Sequence, residues 1–342
     1  MANTFTNPTW IKAQPHGSAE KQVGDSDPSA RTDVINRPTK GAWFALRRLL
    51  AMLTDNLTID GSDVSGTTAF TARLIHMVSP QCYFYMSSGT SCLLVRHGGK
   101  FIPIKDATGW KLMEIPAAGT SLAVGALSNS TTYFVYAYDN AGTLTLEAST
   151  TAWALDTDTG LPIKSGDATR LLVGMVRLLA GAFIDSLAQR FTISFWNRQP
   201  IPLLNPITSD ISTNSTSFAE LSSSFRLEFL TWTFQFASRY GPSMVQVESM
   251  GAFRCTGAGA PTGELAIGFD GTTAGDGTNL YQALPSTNVT YHILTRRFDS
   301  SLTQGYHDAR LLGLSSSGAA TIEVNGSATQ ARRSVLSGVI WG

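Results

Sequence analysis

Charge is what this chain is shortest of. Asp, Glu, Lys and Arg make up 15% of its 342 residues, against about a quarter in an ordinary soluble domain. The 25 basic and 25 acidic residues cancel to a formal net charge of zero. A protein that binds nucleic acid by neutralising phosphates carries a basic excess, so no nucleic-acid partner is expected. A neutral chain also gains little solubility from self-repulsion. Such a surface suits a component that neighbours cover inside a larger particle.

Cysteine is scarce too. Cys82, Cys92 and Cys255 form an odd set at no metal-ligand spacing. That argues against a disulfide scaffold and a zinc site and leaves buried free thiols. No apolar run approaches the roughly 20 residues of a membrane-spanning helix. The first residues, Met-Ala-Asn-Thr-Phe-Thr, lack a basic stretch followed by an apolar one, which is the secretory signal pattern. The expectation is a chain made in a cytoplasm and kept soluble, with no membrane insertion.

Catalytic and metal patterns are equally thin. His16, His76, His97, His292 and His307 include no pair at i, i+4. No Gly-x-Ser-x-Gly elbow or phosphate-cradling loop occurs. Asp156-Thr-Asp-Thr-Gly160 starts like a calcium loop, but Gly160, Leu161 and Asp167 break the pattern at its fifth, sixth and twelfth places. Turns capped by Asp explain that stretch. The run from Asp270 to Gly277 reads as a Gly-rich hairpin tip. Glycan hydrolysis needs two carboxylates flanking a cleft. Glu114, Glu147, Glu228, Glu248, Glu264 and Glu323 all sit on or near expected strands, as the polar members of alternating patterns. No catalytic, metal-binding or cofactor-binding residue is expected, and no cofactor.

What the chain does have is turns and alternation. It contains 31 glycines. Thr131 to Tyr138 is nearly all β-branched or aromatic and is followed by Asp139-Asn-Ala-Gly142. Thr143-Leu-Thr-Leu-Glu-Ala148 then alternates. Together they predict a β-hairpin with a four-residue loop. Strands are expected at 70–78, 82–86, 92–96, 100–104, 110–115, 170–177 and 191–198. A second hairpin is expected across His97-Gly98-Gly99, and a short helix around Phe183 to Ala188. Past Phe218, strands are expected at 224–232, 244–250, 264–269, 291–297, 309–314 and 320–325. An apolar last strand, tied into the fold, ends the chain.

The N-terminal end differs. Residues 1 to about 40 are punctuated by Pro8, Pro15, Pro28 and Pro38, with Phe5 and Trp10 set in a polar strip. Aromatics in an extended strip suit docking onto another protein. A helix follows over about 40–54, capped by Thr39. Trp43, Leu46, Leu50 and Leu53 share one face, Phe44 and Leu49 widen it, and Arg47 and Arg48 lie opposite. So short a helix must pack on something: its own β-domain, a bundle about a symmetry axis, or a partner.

The expected fold is all-β. An extended anchor and helix (1–56) precede a first antiparallel sandwich- or barrel-like domain (57–198). A Pro-rich linker (199–217) leads to a C-terminal β-sandwich domain (218–342).

Several stretches carry a resemblance. Tyr133-Phe-Val-Tyr-Ala-Tyr138, Thr157-Asp-Thr-Gly160, Gly166-Asp-Ala-Thr-Arg170, Leu172-Val-Gly-Met-Val176 and Phe195-Trp-Asn-Arg198 resemble tail-fibre-type virion proteins of tailed bacteriophages. Glu228-Phe-Leu-Thr-Trp232, Gly268-Phe-Asp-Gly271, Ala309-Arg-Leu-Leu-Gly313 and Leu336-Ser-Gly-Val-Ile-Trp-Gly342 are similar to the terminal β-sandwich module of such proteins. Residues 1–60 resemble their virion-proximal anchors more loosely. The resemblance covers the second half to two-thirds of the chain and carries no catalytic residue. It implies a homotrimer on the particle of a phage, expected to be a short-tailed one, and does not place it on the tail or the head.

The expected function is therefore non-enzymatic: a tail fibre involved in host attachment. Candidate virion-docking residues are Trp10, Trp43, Phe44, Arg47 and Arg48. The expected partners are two further copies of the chain, tail or portal-adaptor proteins (alternatively the capsid), and a host surface glycan or protein. The alternatives are a head fibre or capsid decoration protein, and a polysaccharide-degrading tailspike enzyme.

Overall fold

The computed structural model describes residues 58–60, 63–65, 80–232, 245–257, 262–274, 282–285, 290–299, 302–326 and 334–342. The anchor, the helix over about 40–54 and the strand expected at 70–78 lie outside them. Met1–Met77 and Val78–Gly342 are separate compact units. In the first, the described residues form one hairpin, Thr58–Asp60 against Asp63–Ser65.

The fold is all-β, as the alternation predicts. Among the described residues the helical structure is one short 3-10 turn, Ser223–Phe225, capped by the Ser222 side chain. The first sheet of the second unit is built on Asp167–Leu179. This 13-residue strand pairs with Pro162–Lys164, Thr132–Asn140, Ala182–Phe183 and Thr192–Ser194. Trp153–Leu155 and Thr143–Ser149 complete the sheet. Leu171 to Val176 are buried without a break, so this strand is covered on both faces. A continuous apolar run there is what two-sided burial requires. Gly174 sits where the register slips. A Cβ there would stand 2.4 Å from the Phe84 ring and 2.8 Å from the Ile193 carbonyl oxygen.

Cys82–Ser88, Ser91–Arg96 and Thr120–Ala123 form a small sheet, and Phe101–Asp106 pairs with Gly109–Glu114. The hairpin expected across His97-Gly98-Gly99 is therefore corrected. Its two flanking strands lie in different sheets. Gln81 redirects the chain there: its Oε1 accepts the Lys100 and Phe101 amides, and its carbonyl accepts the His97 amide. The helix expected near Phe183 is also absent. Ala182–Phe183 is a strand, and an isolated bridge joins Asp185 to Arg190.

The remaining strands make a sandwich. One sheet runs Gln189–Arg190, Leu227–Thr231, Gly305–Ser315, Thr262–Phe269, Gln282–Pro285, with Ala219–Glu220 also on Gly305–Ser315. The other runs Pro200–Pro206, Val335–Trp341, Val245–Thr256, Thr321–Val324, Ile211–Thr213, with Tyr291–Asp299 also on Val245–Thr256. Ile211, Phe253, Cys255, Ile322 and Val324 from the second pack on Leu265 and Leu311 from the first.

The Pro-rich linker expected at 199–217 is the main departure. Pro200–Pro206 pairs along its whole length with Val335–Trp341, and Ile211–Thr213 pairs with Thr321–Val324. Proline lacks an N–H, so it is tolerated on a strand with one neighbour. Here it marks a sheet edge and no free connector. The two halves are also bound together. The Trp232 indole donates to the Ser194 carbonyl at 3.1 Å and sits edge-on to Phe195. Trp153 Nε1 donates to Gln304 Oε1 at 3.0 Å. Arg177 lies over the Tyr306 ring at 4.1 Å. Residues 78–342 thus form one unit.

Candidate functional site

The polar residues that invited a chemical reading are mostly occupied. Asp156 Oδ1 accepts the Asp158 and Thr159 amides and the Thr159 hydroxyl, which is a capped turn. Glu114 binds Arg96 and Lys100, and Glu147 binds Lys164 and Arg170. Glu228 accepts from Tyr306 and Gln189, while Glu323 binds Arg254. Among the described residues no group of three or more His, Cys, Asp or Glu could hold a metal ion. Cys82, Cys92 and Cys255 are buried thiols. Burial pushes the Cys82 thiol far up and the Cys92 thiol up to about 12, so neither is a ready nucleophile.

Two polar clusters serve packing. Arg226 forks onto Glu220 at 2.5 and 2.6 Å, and Arg310 forks onto Asp308 at 2.6 and 2.8 Å. Cross contacts of 3.5 Å (Arg226 to Asp308) and 3.8 Å (Arg310 to Glu220) close a ring of alternating charge. Next to it, the His307 ring lies between the Asp270 carboxylate at 2.6 Å and the Thr303 carbonyl at 2.7 Å. Both partners accept, so both ring nitrogens donate and the imidazolium form is favoured. Burial alone would push His307 down. The bonds to Asp270 and Thr303 outweigh it and hold the imidazole above its usual range.

One apolar surface stands exposed among the described residues. Among the described residues six large apolar side chains are exposed: Tyr85, Leu187, Met250, Leu294, Phe298 and Val339. The last four share the outer face of the second sandwich sheet. Strand register puts them in rows. Gln246 stands beside Phe298 on one side and Val339 on the other, Glu248 beside Arg296 and Ser337, Met250 beside Leu294 and Val335. Pro202 continues the first row and Pro206 the third. Met250 is 57% exposed, an unusual position for so apolar a side chain on a strand.

One charged pair crosses the middle of this face. Arg296 Nε and Nη2 both donate to Glu248 Oε2, at 3.2 and 2.9 Å. The face is thus an apolar row at Met250 and a mixed row of Phe298, Gln246 and Val339, flanking a neutral ionic row. Exposed in this way, its apolar side chains can cover another surface. Apolar patches of this kind mark interaction sites.

The residues expected to dock the chain, Trp10, Trp43, Phe44, Arg47 and Arg48, all lie outside the described residues. The open face was not expected from the sequence. Its signal was there: Met250 follows Gln246 and Glu248 at the outward parity of its strand, where a polar residue belongs.

No family model and no curated protein matches the chain. Solved structures match faintly. The insecticidal delta-endotoxin Cry8Ea1 of Bacillus thuringiensis is 9% identical, with 84% of this chain and 58% of that one covered and a TM-score of 0.25. A Cry1Da core variant of the same organism is 10% identical, with 83% and 56% covered and a TM-score of 0.20. The infectious bursal disease virus Gx strain structure is 10% identical, with 77% and 65% covered and a TM-score of 0.15. The chain spans less than two thirds of the length of each. Likeness this faint attaches neither toxin nor capsid activity to it.

Proposed function

We propose that the chain is a non-enzymatic structural component of a bacteriophage particle, a tail fibre that takes part in host attachment. The observation that carries an assembly role is the open apolar face around Met250, Leu294, Phe298 and Val339 on an otherwise well-buried β-body. The resemblance of the strand motifs to tail-fibre-type proteins supplies the kind of assembly. The acidic residues support a non-enzymatic reading, because five of the six strand glutamates already hold a cation, a tyrosine or an amide. In this reading the arm and helix of residues 1–56 dock the fibre, through Trp10, Trp43, Phe44, Arg47 and Arg48, to a tail or portal-adaptor protein. Several copies then present weak host contacts together, and effective concentration turns them into firm attachment.

The test is a chain lacking residues 1–56, assembled in competition with the full chain. It is expected to stay folded by circular dichroism and to be missing from purified particles. Its presence on particles at the full-chain level would overturn the docking role. Imaging labelled particles separates tail from head. Release of reducing ends from host surface glycan, abolished by changing a single Glu or Asp, would overturn the non-enzymatic reading.

A further inference from the structure

We infer that three copies of this chain turn the open face of the second sandwich sheet inward, around a three-fold axis parallel to its strands. The Tyr291–Asp299 edge of each copy then meets the Pro200–Pro206 edge of the next. This rests on the assembly reading above and names the occupant of that surface.

Width selects the symmetry. Around these rows the face is four strands across, in the order Tyr291–Asp299, Val245–Thr256, Val335–Trp341, Pro200–Pro206. At the usual strand spacing that is about 19 Å. Three faces of this width, closed into a triangle, each stand about 5.5 Å from the axis. Packed sheets lie roughly 10 Å apart, so half that distance lets the side chains of three copies fill the middle. A three-fold axis involves no shift along itself, so each row stays level with its copies. Met250, Val335 and Val339, on the two central strands, come nearest the axis. At each corner Phe298 meets the next copy's Pro202, and Leu294 meets the next copy's Pro206, because each pair ends one row. Every exposed apolar side chain of the face is then covered.

Charge agrees. Arg296 belongs to the edge strand, so it sits at a corner, where water reaches it. Both of its bonds end on Glu248 Oε2, which leaves Oε1 to accept from the next copy's Ser337 hydroxyl. Ser337 and Leu204 complete that row. A two-fold axis midway across the face would instead lay Arg296 on the partner's Leu204 beneath a whole sheet, where burying a charge is costly. The Pro200–Pro206 edge also suits a contact made by side chains. The Leu187 carbonyl accepts its Leu204 amide, and Arg190 donates to its Pro202 carbonyl, so the next copy adds no strand there. The three rows hold one Glu and one Arg, so a strongly charged partner gains nothing from them.

The experiment cross-links the corners. Within one chain Phe298 and Pro202 are three strand spacings apart, about 14 Å, too far for a disulfide. The full chain carrying both Phe298→Cys and Pro202→Cys, folded by circular dichroism, is therefore expected to oxidise between copies into a covalent three-chain ring. Leu294→Cys with Pro206→Cys is a second pair, in another row, and is expected to do the same. Cys82, Cys92 and Cys255 are buried and do not compete. Each single change alone is expected to stay one chain on a non-reducing gel. By sedimentation equilibrium the wild type is expected at three times 36.6 kDa. Adding Met250→Lys to either cysteine pair is expected to slow cross-linking at least roughly tenfold, because it brings a charge to the axis. A one-chain or two-chain mass, two cysteine pairs that both stay unlinked, single variants that link to themselves, or a rate unmoved by Met250→Lys would overturn the inference. If the ring forms and the protein is absent from particles, the phage reading fails and the interface stands. If the protein is on particles and both pairs stay unlinked, only the interface fails.

Discussion

Ala141 shows a residue held against its preference. The hairpin expected from Thr131 onward forms, but with a tighter tip than its turn letters indicate. Asn140 pairs with Thr143, so the loop is Ala141-Gly142, with φ of 49° and 90°. A two-residue turn with both φ positive favours Asn-Gly. Ala141→Asn should stabilise the unit by about 0.5–1 kcal/mol, read as a rise in thermal midpoint. His307 gives a pH-dependent counterpart. Its folded pKa lies above the ordinary 6.5, so its stabilisation is complete below that value and fades as pH rises through the folded pKa. Asp270 is held below its ordinary value, burial being outweighed by the bonds from His307 and the Asp308 amide. Its share is present above about 3.8 and is lost as pH falls through its folded pKa. Melts of the wild type against His307→Gln should diverge most at mildly acidic pH and converge as pH rises past the folded His307 pKa. Parallel melts across that range would reject the imidazolium.

Among the elements, Asp167–Leu179 was the most legible. Arg170-Leu-Leu-Val-Gly-Met-Val-Arg177 reads as a buried strand because its apolar run is unbroken, and six successive residues are buried. The role of Gly174 within it was not legible. Its freedom from a side chain matters only because Phe84, about 90 positions earlier, packs against it. Gly174→Ala forces Phe84 to move and should cost about 1–3 kcal/mol, measured by chemical denaturation. Phe84→Leu in the same background should recover part of that loss. Pro200–Pro206 is the opposite case. Three prolines in seven residues point to a stiff extended segment, and extended it is. That the segment is a sheet edge depends on Val335–Trp341, more than 120 residues away, which supplies the hydrogen-bond partners. Proline content limits local conformation and carries no information about such a distant neighbour.

For the molecule as a whole, the two expected β-domains are one unit across residues 78–342. Trp232, 1% exposed, joins them through Ser194 and Phe195. Trp232→Ala should lower stability by about 3–5 kcal/mol. Strand content and tryptophan emission should still lose their transitions together, as one cooperative unit requires. Two separated transitions would show that the halves fold alone. The all-β class, most strand positions, the buried thiols and the capped turn at Asp156 were determined by the sequence itself, because periodicity and turn chemistry act over a few residues. Which strands neighbour one another, where the chain bends away from a hairpin at His97, and which parity of Val245–Thr256 faces outward were decided only by the tertiary structure. Those depend on contacts between residues far apart in the chain. The open face around Met250 is of that kind: its residues come from separate strands, and only the sheet brings them into rows.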